Sequence, residues 1–456
     1  MERDNFSSRI GFILVSAGCA IGLGNVWRFP FITGEYGGGA FVLLYLVFLL
    51  LMGLPVLVAE LAVGRASQRS IAMSFDALEP KGSKWHLHKY TGIVGNIILM
   101  MFYTTISGWM LYYLYKMASG TFHSGNANVP VIFVHLVEDP VTMGCNTFLI
   151  ILIGGGICYM GVRKGVERIT KWMMLILLSL MLILALNSMT LSGASAGLSY
   201  YLMPDFNRLM EKGLSEAVFA AMGQAFFTLS IGIGSIAIFG SYIDKSKRLT
   251  GEAIWIIILD TFVALTAGLI IFPACFSYNV PTNSGPGLLF VTLPHVFSEM
   301  PGGLLWGTLF FLFMTFAALS TVIAVFENII AAVSELLNAN RKKVIIIGIP
   351  VMFFLSLPCV LGFNVLSGFH PMGGETIILD LEDFIVSNNL LPLGSLVYLL
   401  FCVSRYGWGF DNFVKEVDTG VGIKFPKALK FYLTYILPII LLVVFVNGYY
   451  AMFFNK

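Results

Sequence analysis

Two stretches of the sequence combine closely spaced glycines with polar side chains inside long apolar segments. The first reads SAGCAIGLGNVWRFP (residues 16–30) and contains Asn25; the second reads GQAFFTLSIGIG (residues 223–234) and contains Thr228 and Ser230. An interior glycine costs a helix about 1 kcal/mol relative to alanine, and backbone groups freed in an apolar environment need partners. Bare carbonyl oxygens suit a hard cation, whereas helix N-terminal amides attract a carboxylate. The stretches therefore predict broken helices that bind a zwitterion and a small cation, with close helix packing as the alternative.

Ionisable side chains inside apolar segments are costly to bury and mark functional candidates. The sequence places Arg28, Glu60, Asp260, Glu327 and Asp383 within such segments. Structural ion pairs, or positions at the membrane surface, are the alternative explanation for each of them. Asp260 lies far from both ends of its segment, so we expect its carboxylate to meet a cation or to hold a proton.

The composition indicates that a lipid bilayer surrounds most of the chain. Of 456 residues, 57% are apolar and 11% are charged, and the mean hydropathy is +0.86; a soluble domain carries about 25% charged residues. The net charge of +2 favours neither a nucleic-acid nor an acidic partner. The six cysteines and six histidines show no metal-ligand spacing, so we predict neither a zinc-type site nor an organic cofactor.

Eleven apolar segments are long enough to cross a bilayer, which takes roughly 20 residues. They lie near residues 10–36, 39–64, 90–118, 143–161, 170–192, 214–242, 251–278, 302–337, 343–362, 376–404 and 429–454. With a cytoplasmic N-terminus and alternating crossings, 22 of the 27 Lys and Arg residues fall on the cytoplasmic side, as the positive-inside rule requires. We therefore predict one all-α transmembrane domain over residues 1–456 with an extracytoplasmic C-terminus.

The two broken segments are the first and the sixth, five segments apart. Discontinuous helices at matching positions of two halves are typical of inverted-repeat carriers, which bind substrate near the midplane of the membrane. We predict one repeat over about residues 9–192, a second over about residues 214–404 and an additional helix over about residues 429–454. The correspondence of the two breaks is the basis of this prediction.

At this point five motifs resemble those of the neurotransmitter:sodium symporter family, in its bacterial amino-acid branch. They are AGCAIGLGNVWRFP (17–30), GGGAF (37–41), GQAFFTLSIGIG (223–234), GPGLLFVTLP (285–294) and FAALSTVIA (316–324). The similarity runs from about Arg3 to about Phe425, which is nearly the whole chain. It implies a leucine-transporter-type fold with two inverted five-helix repeats, and alternating access coupled to sodium.

The resemblance also implies two sodium sites and a substrate site. The first sodium site would use the Ala20 carbonyl, Asn25, Thr228, Asp260 and the substrate carboxylate. The second would use the carbonyls of Gly18, Ile21 and Ala317 and the hydroxyls of Ser320 and Thr321. The implied substrate-binding residues are Ala20, Gly22, Leu23, Gly24, Leu99, Tyr103, Ile106, Phe227, Thr228, Ser230, Ile233 and Val325. For Leu99 and Ile106, a place in the apolar core is the alternative.

Gates are implied on both sides of the substrate site. Tyr103 and Phe227 would form a lid over the substrate. Arg28 with Asp383 would close an outer gate, Arg3 with Glu335 would close an inner gate, and Tyr242 would support the inner gate.

Two departures from the family pattern are informative. Gly22 stands where monoamine carriers have an aspartate, which favours substrates that bring their own carboxylate. Asp260 stands where the family usually has an asparagine, and Ala264 replaces a serine of the chloride site, of which Tyr45 and Gln224 match other parts. A permanent negative charge on Asp260 would replace chloride, so we predict chloride-independent transport.

The sequence leaves other functions open. A proton-coupled carrier, with Asp260 or Glu327 titrating, and a non-transporting amino-acid sensor are the alternatives to a sodium symporter. Nothing resembles a channel filter or the nucleophile–base pair of an enzyme, so we predict no enzymatic activity. The walls of the implied site are apolar, so we expect a neutral, hydrophobic L-amino acid as substrate. A short loop near residues 119–142 without an external N-x-S/T acceptor fits a bacterial inner membrane. The oligomeric state stays open.

Overall fold

The computed structural model describes residues 6–123, 128–282 and 287–453, and its described part is helical, without strands. Among these described residues, nine helices are long and apolar enough to cross a membrane, and one bent pair makes up a tenth span. The nine are Gly39–Ser67, Trp85–Ala118, Pro140–Tyr159, Val162–Ser188, Leu249–Ser277, Gly303–Leu336, Arg341–Leu361, Ile378–Val403 and Lys427–Tyr450. We call them helices 2, 3, 4, 5, 7, 8, 9, 10 and 11. All eleven predicted segments are helical, but two of them are interrupted.

Helix 1 is the bent pair. Its first half, helix 1a, spans Arg9–Ala20, and its second half, helix 1b, spans Gly24–Glu35, at an angle of 57°. Ile21 is extended, with φ −70° and ψ 103°, so the hydrogen-bond ladder stops there. The break falls inside the glycine-rich stretch that the sequence singled out.

The sixth span is shorter than one continuous helix because it breaks as well. Helix 6a spans Leu214–Leu229 and helix 6b spans Ala237–Gly240. Gly232 has φ 104°, which is left-handed backbone that favours glycine. A Cβ on Gly232 would lie 2.3 Å from the Leu391 carbonyl oxygen. Helix 10 therefore packs directly against the unwound backbone, and only glycine fits between them.

Helix 8 is the central helix of the bundle, since 83% of its most apolar stretch is buried inside the protein. It packs against helices 1a, 3, 4 and 5. For helices 9 and 11 the buried share is 28%, so most of their surface would face lipid. This arrangement brings the two breaks alongside helices 3 and 8.

Two contacts, one buried and one partly buried, join distant parts of the chain at the end of the bundle that includes residues 65–69 and 241–248. Arg65 is fully buried, and its Nε donates to a Glu416 carboxylate oxygen at 2.7 Å. It also donates to the Lys247 carbonyl at 2.6 Å and to the Glu416 carbonyl. Nearby, Glu167 accepts hydrogen bonds from the backbone and hydroxyl of Ser7 at 2.7 and 2.6 Å. We call this end the basic end.

Candidate binding site at the helix breaks

A small cavity lies where the two breaks meet helices 3, 8 and 10. The centre of a water-sized sphere can occupy a volume of about 20 Å³ inside it. This is close to the minimum volume that holds one water molecule. An amino acid therefore needs outward movement of the lining side chains. The residues lining the cavity are Ala20, Gly22, Leu23, Gly24, Leu99, Tyr103, Phe227, Ser230, Thr321, Val386 and Leu391.

The break in helix 1 gives the cavity a polar end. The Leu23 N–H donates to the Tyr103 hydroxyl oxygen at 3.1 Å, so the hydroxyl proton is left to donate elsewhere. A Cβ on Gly22 would lie 2.5 Å from that hydroxyl and 2.7 Å from the Thr321 Oγ1. Glycine is therefore required for the close approach. This end suits a carboxylate, which would accept from the Tyr103 hydroxyl and from amides at the start of helix 1b.

Three of the predicted first-site residues form one buried cluster. Asn25 Nδ2 donates to Asp260 Oδ1 at 2.8 Å and to Thr228 Oγ1 at 2.9 Å. The Thr228 hydroxyl donates to Asp260 Oδ2 at 3.1 Å, and all three residues are fully buried. Rotation of the Asn25 amide would point Oδ1 at the others and complete a set of oxygen ligands. One carboxylate among neutral oxygens fits a monovalent hard cation.

The five predicted second-site residues also converge. The Ser320 hydroxyl donates to the Ala317 carbonyl at 2.9 Å and lies 3.4 Å from the Ile21 carbonyl. Thr321 Oγ1 lies 3.3 Å from the Ile21 carbonyl and 3.5 Å from that of Gly18. Three carbonyls and two hydroxyls therefore meet between helix 1a and helix 8, without a formal charge. A neutral oxygen set of this kind fits Na⁺ and disfavours ions that need carboxylates.

The structure separates the predicted pocket residues into two groups. Four of them, Ile106, Thr228, Ile233 and Val325, are buried but do not line the cavity. Val386 and Leu391, which the sequence analysis missed, do line it. They lie on helix 10, where a π-helical stretch over Phe384–Leu390 precedes Pro392. That proline was the available signal of an irregular helix.

Glu60 stabilises the break in helix 6 through hydrogen bonds. Its carboxylate accepts from the backbone N–H groups of Gly232 at 2.8 Å, Ile236 at 2.9 Å and Ala237 at 3.3 Å. Asn96 donates to the Ile233 carbonyl at 2.7 Å. Three N–H groups and one carbonyl group of the unwound backbone thus have hydrogen-bond partners. Glu60 therefore has a structural role rather than a role in binding substrate.

The predicted outer gate, Arg28 with Asp383, does not form an ion pair in this conformation. Arg28 stacks over the Phe227 ring at 4.3 Å, and Asp383 accepts from the Ser387 hydroxyl at 2.6 Å. Among the described residues, no ion pair within 4.0 Å joins Arg28 to Asp383. Tyr103 and Phe227, the predicted lid, both line the cavity.

The predicted inner gate is described in part, because Arg3 lies outside the described residues. The Glu335 carboxylate accepts from the Ser70 hydroxyl at 2.7 Å. Tyr242 donates to Glu327 at 2.8 Å, and Glu327 also pairs with Arg341 of helix 9. Glu327 is therefore an ion-pair partner in a network with Tyr242.

Comparison with known proteins identifies the family of the chain. The model of the sodium:neurotransmitter symporter family matches residues 3–130 and 136–455. The chain belongs to this family. The symporter is 35% identical to the sodium-dependent transporter YhdH of Bacillus subtilis, over 97% of both chains. It is 25% identical to the human sodium- and chloride-dependent GABA transporter 2, over 96% of the symporter and 78% of the relative.

A solved structure shares the fold of the symporter. The crystal structure of MhsT in complex with L-phenylalanine matches with a TM-score of 0.88 and 36% sequence identity, covering 98% of the symporter and all of MhsT. The predicted leucine-transporter-type fold is confirmed. The symporter is a multi-pass membrane protein of a transporter family rather than an enzyme family, and its sodium-dependent relatives support Na⁺ as the coupling ion.

Proposed function

We propose that this symporter imports neutral, hydrophobic L-amino acids together with Na⁺ by alternating access and does not require chloride. The observation that carries the proposal is the convergence of a carboxylate-binding helix break and two oxygen clusters around one cavity. An amino-acid carboxylate at the Tyr103 hydroxyl would lie beside Ala20, whose carbonyl we assign to the first sodium site. Substrate and sodium would then stabilise each other's binding, which is the thermodynamic requirement for coupling.

The cavity supports an amino acid rather than an amine. Gly22 supplies no carboxylate at the polar end of the cavity, so a carboxylate at that end would come from the substrate. Leu99, Phe227, Val386 and Leu391 give the rest of the cavity an apolar lining. MhsT, which shares the fold, was crystallised with L-phenylalanine, and this supports a small amino-acid substrate for the symporter.

Chloride independence follows from Asp260. Its carboxylate lies directly in the first cluster, within 2.8 Å of Asn25. Ala264, one helical turn further along helix 7, has no hydroxyl with which to bind an anion. A second negative charge at this place would repel the first, so a resident chloride is disfavoured.

We assign the basic end, with the N-terminus, to the cytoplasm and the C-terminus to the opposite side of a bacterial inner membrane. The repeats over about residues 9–192 and 214–404 would then rearrange around the site, with the helix over about residues 429–454 outside both. Each sodium ion that enters gains about 2.3 kcal/mol per 100 mV of membrane potential. One or two ions therefore suffice for substantial accumulation.

Uptake of labelled neutral amino acids into proteoliposomes tests this function. We expect uptake with an inward sodium gradient and gluconate in place of chloride, and its loss when potassium replaces sodium. Uptake that follows a proton gradient without sodium would instead establish a proton-coupled carrier. Saturable binding without uptake would establish a sensor.

A further inference from the structure

One of seven buried carboxyl side chains in the described residues lacks a partner for a negative charge. The other six have partners: Glu60 accepts three backbone N–H bonds, Glu167 accepts from Ser7 and Ser8, Glu252 pairs with Arg9, Asp260 accepts from Asn25 and Thr228, Glu327 pairs with Arg341, and Glu416 pairs with Arg65. The seventh is Glu382. Both of its carboxyl oxygens are buried, and neither accepts a hydrogen bond from a described residue.

Glu382 lies in the first turns of helix 10, away from the basic end, and is 4% exposed. The titratable group that faces it from helix 9 is the Cys359 thiol, a weak donor at most, and Thr105 of helix 3 lies against that thiol. The two neighbouring carboxylates of helix 10 have hydrogen-bond donors of their own. Asp380 accepts from the Ile377 N–H at 2.8 Å, and Asp383 accepts from the Ser387 hydroxyl. Within the described part of the chain, no cation therefore compensates Glu382.

Burial decides the protonation state of such a group. An isolated carboxylate loses its hydration in an apolar interior, and the group takes up a proton instead of remaining charged. The neutral acid needs no counter-ion and fits between helices 3 and 9. An ionised Glu382 would require water or a cation to reach it, and so would require helix 10 to move.

We propose that Glu382 is a proton-binding site, protonated in this conformation and ionised when the start of helix 10 separates from helices 3 and 9. The same helix continues through Val386 and Leu391, which line the cavity. A proton that binds one conformation more tightly stabilises that conformation, and a change of conformation releases it. Acid on the side away from the basic end would thus favour the arrangement described here.

Infrared difference spectroscopy of the full-length protein in lipid vesicles tests the protonation directly. The carbonyl stretching band of a protonated carboxylic acid is expected in the wild-type protein at neutral pH and is expected to disappear in Glu382→Gln. Glu375→Gln is the matched control, because it removes an exposed carboxyl seven residues away. An acid band that is unchanged in Glu382→Gln would overturn the proposal. This measurement does not depend on the substrate, so its outcome is separate from that of the proposed function.

A pH profile tests the coupling to conformation. We expect wild-type transport or substrate binding to change severalfold as the pH on that side is varied at constant sodium, and the Glu382→Gln profile to be nearly flat. Glu382→Asp keeps a titratable group and should keep a profile, which also covers the case in which Glu382→Gln does not fold. An identical profile in wild type and Glu382→Gln would refute the coupling.

Discussion

Asp260 is the residue on which both the sodium site and the chloride prediction depend. It is fully buried on helix 7 and is held by Asn25 and Thr228. In the proposed function its negative charge has two roles, because it would attract the cation and repel an anion.

Asp260→Asn should therefore weaken the sodium dependence of uptake or make uptake respond to chloride. The measurement is uptake as a function of sodium concentration, with chloride and with gluconate as the anion. Asp411→Asn, the same change at an exposed site near the basic end, is the control. Normal sodium affinity in gluconate for the Asp260 variant would contradict the role of this carboxylate.

The second cluster contains two hydroxyl groups of helix 8, those of Ser320 and Thr321, and a role as sodium ligands would account for their position. Thr321→Val keeps the shape of the side chain and removes Oγ1, so we expect the sodium affinity of uptake to fall about tenfold, the equivalent of 1.4 kcal/mol. Thr315→Val on the same helix is the matched control, because the Thr315 hydroxyl donates to the Phe311 carbonyl at 2.7 Å, outside the cluster. Equal sodium affinities in the two variants would argue against a second sodium site.

At the scale of the helices, the breaks in helices 1 and 6 form the centre of the candidate site. The glycines allow side chains and backbone to approach closely, as at Gly232 against helix 10. Sequence predicted both breaks because closely spaced glycines beside polar groups conflict with a continuous membrane helix. It did not predict Val386 and Leu391, since apolar residues of helix 10 are indistinguishable from those that face lipid until the helix is placed.

Gly22→Ala tests the requirement for space at the helix 1 break. The added Cβ would lie within 2.7 Å of both the Tyr103 hydroxyl and Thr321 Oγ1, so we expect loss of substrate binding with the helical bundle intact. Gly223→Ala in helix 6a is the control, because its Cβ would meet nothing within 4 Å. Equilibrium binding of the labelled substrate is the measurement. Unchanged binding by the Gly22 variant would show that the site lies elsewhere.

Over the whole molecule, the sequence predicted an all-helical fold, because this follows from local patterns of hydropathy. It predicted eleven spans, whereas nine helices and one bent pair among the described residues are long and apolar enough to cross a membrane, since the sixth span is broken into shorter helices. The two sodium sites stay predictions that rest on the family resemblance. The sequence could not identify the partners of buried charges. Arg65 was one basic residue among many at the predicted cytoplasmic side, and its burial against Glu416 depends on how the helices pack. Glu382 was overlooked beside Asp383 for the same reason.

Arg65→Gln is expected to lower the stability of the entire bundle. Breaking a buried ion pair costs about 3–5 kcal/mol, because the remaining charge stays buried. Among the described residues, Lys245 at 3.3 Å would be the one cationic partner left to Glu416. The melting temperature in detergent should fall markedly in Arg65→Gln and recover in part in Arg65→Gln with Glu416→Gln. Arg69→Gln, at an exposed position, should have little effect. Equal melting temperatures for the Arg65 and Arg69 variants would contradict the importance of the pair.

The distance along the chain between Arg65 and Glu416 also determines when their ion pair can form during translation. The two residues are 351 positions apart, and at about 5–20 residues per second a ribosome needs roughly 20 to 70 seconds to pass from one to the other. During this interval Arg65 has been synthesised but its partner Glu416 has not. The buried ion pair, and the packing of this end of the bundle around it, can therefore form only after Glu416 has been synthesised.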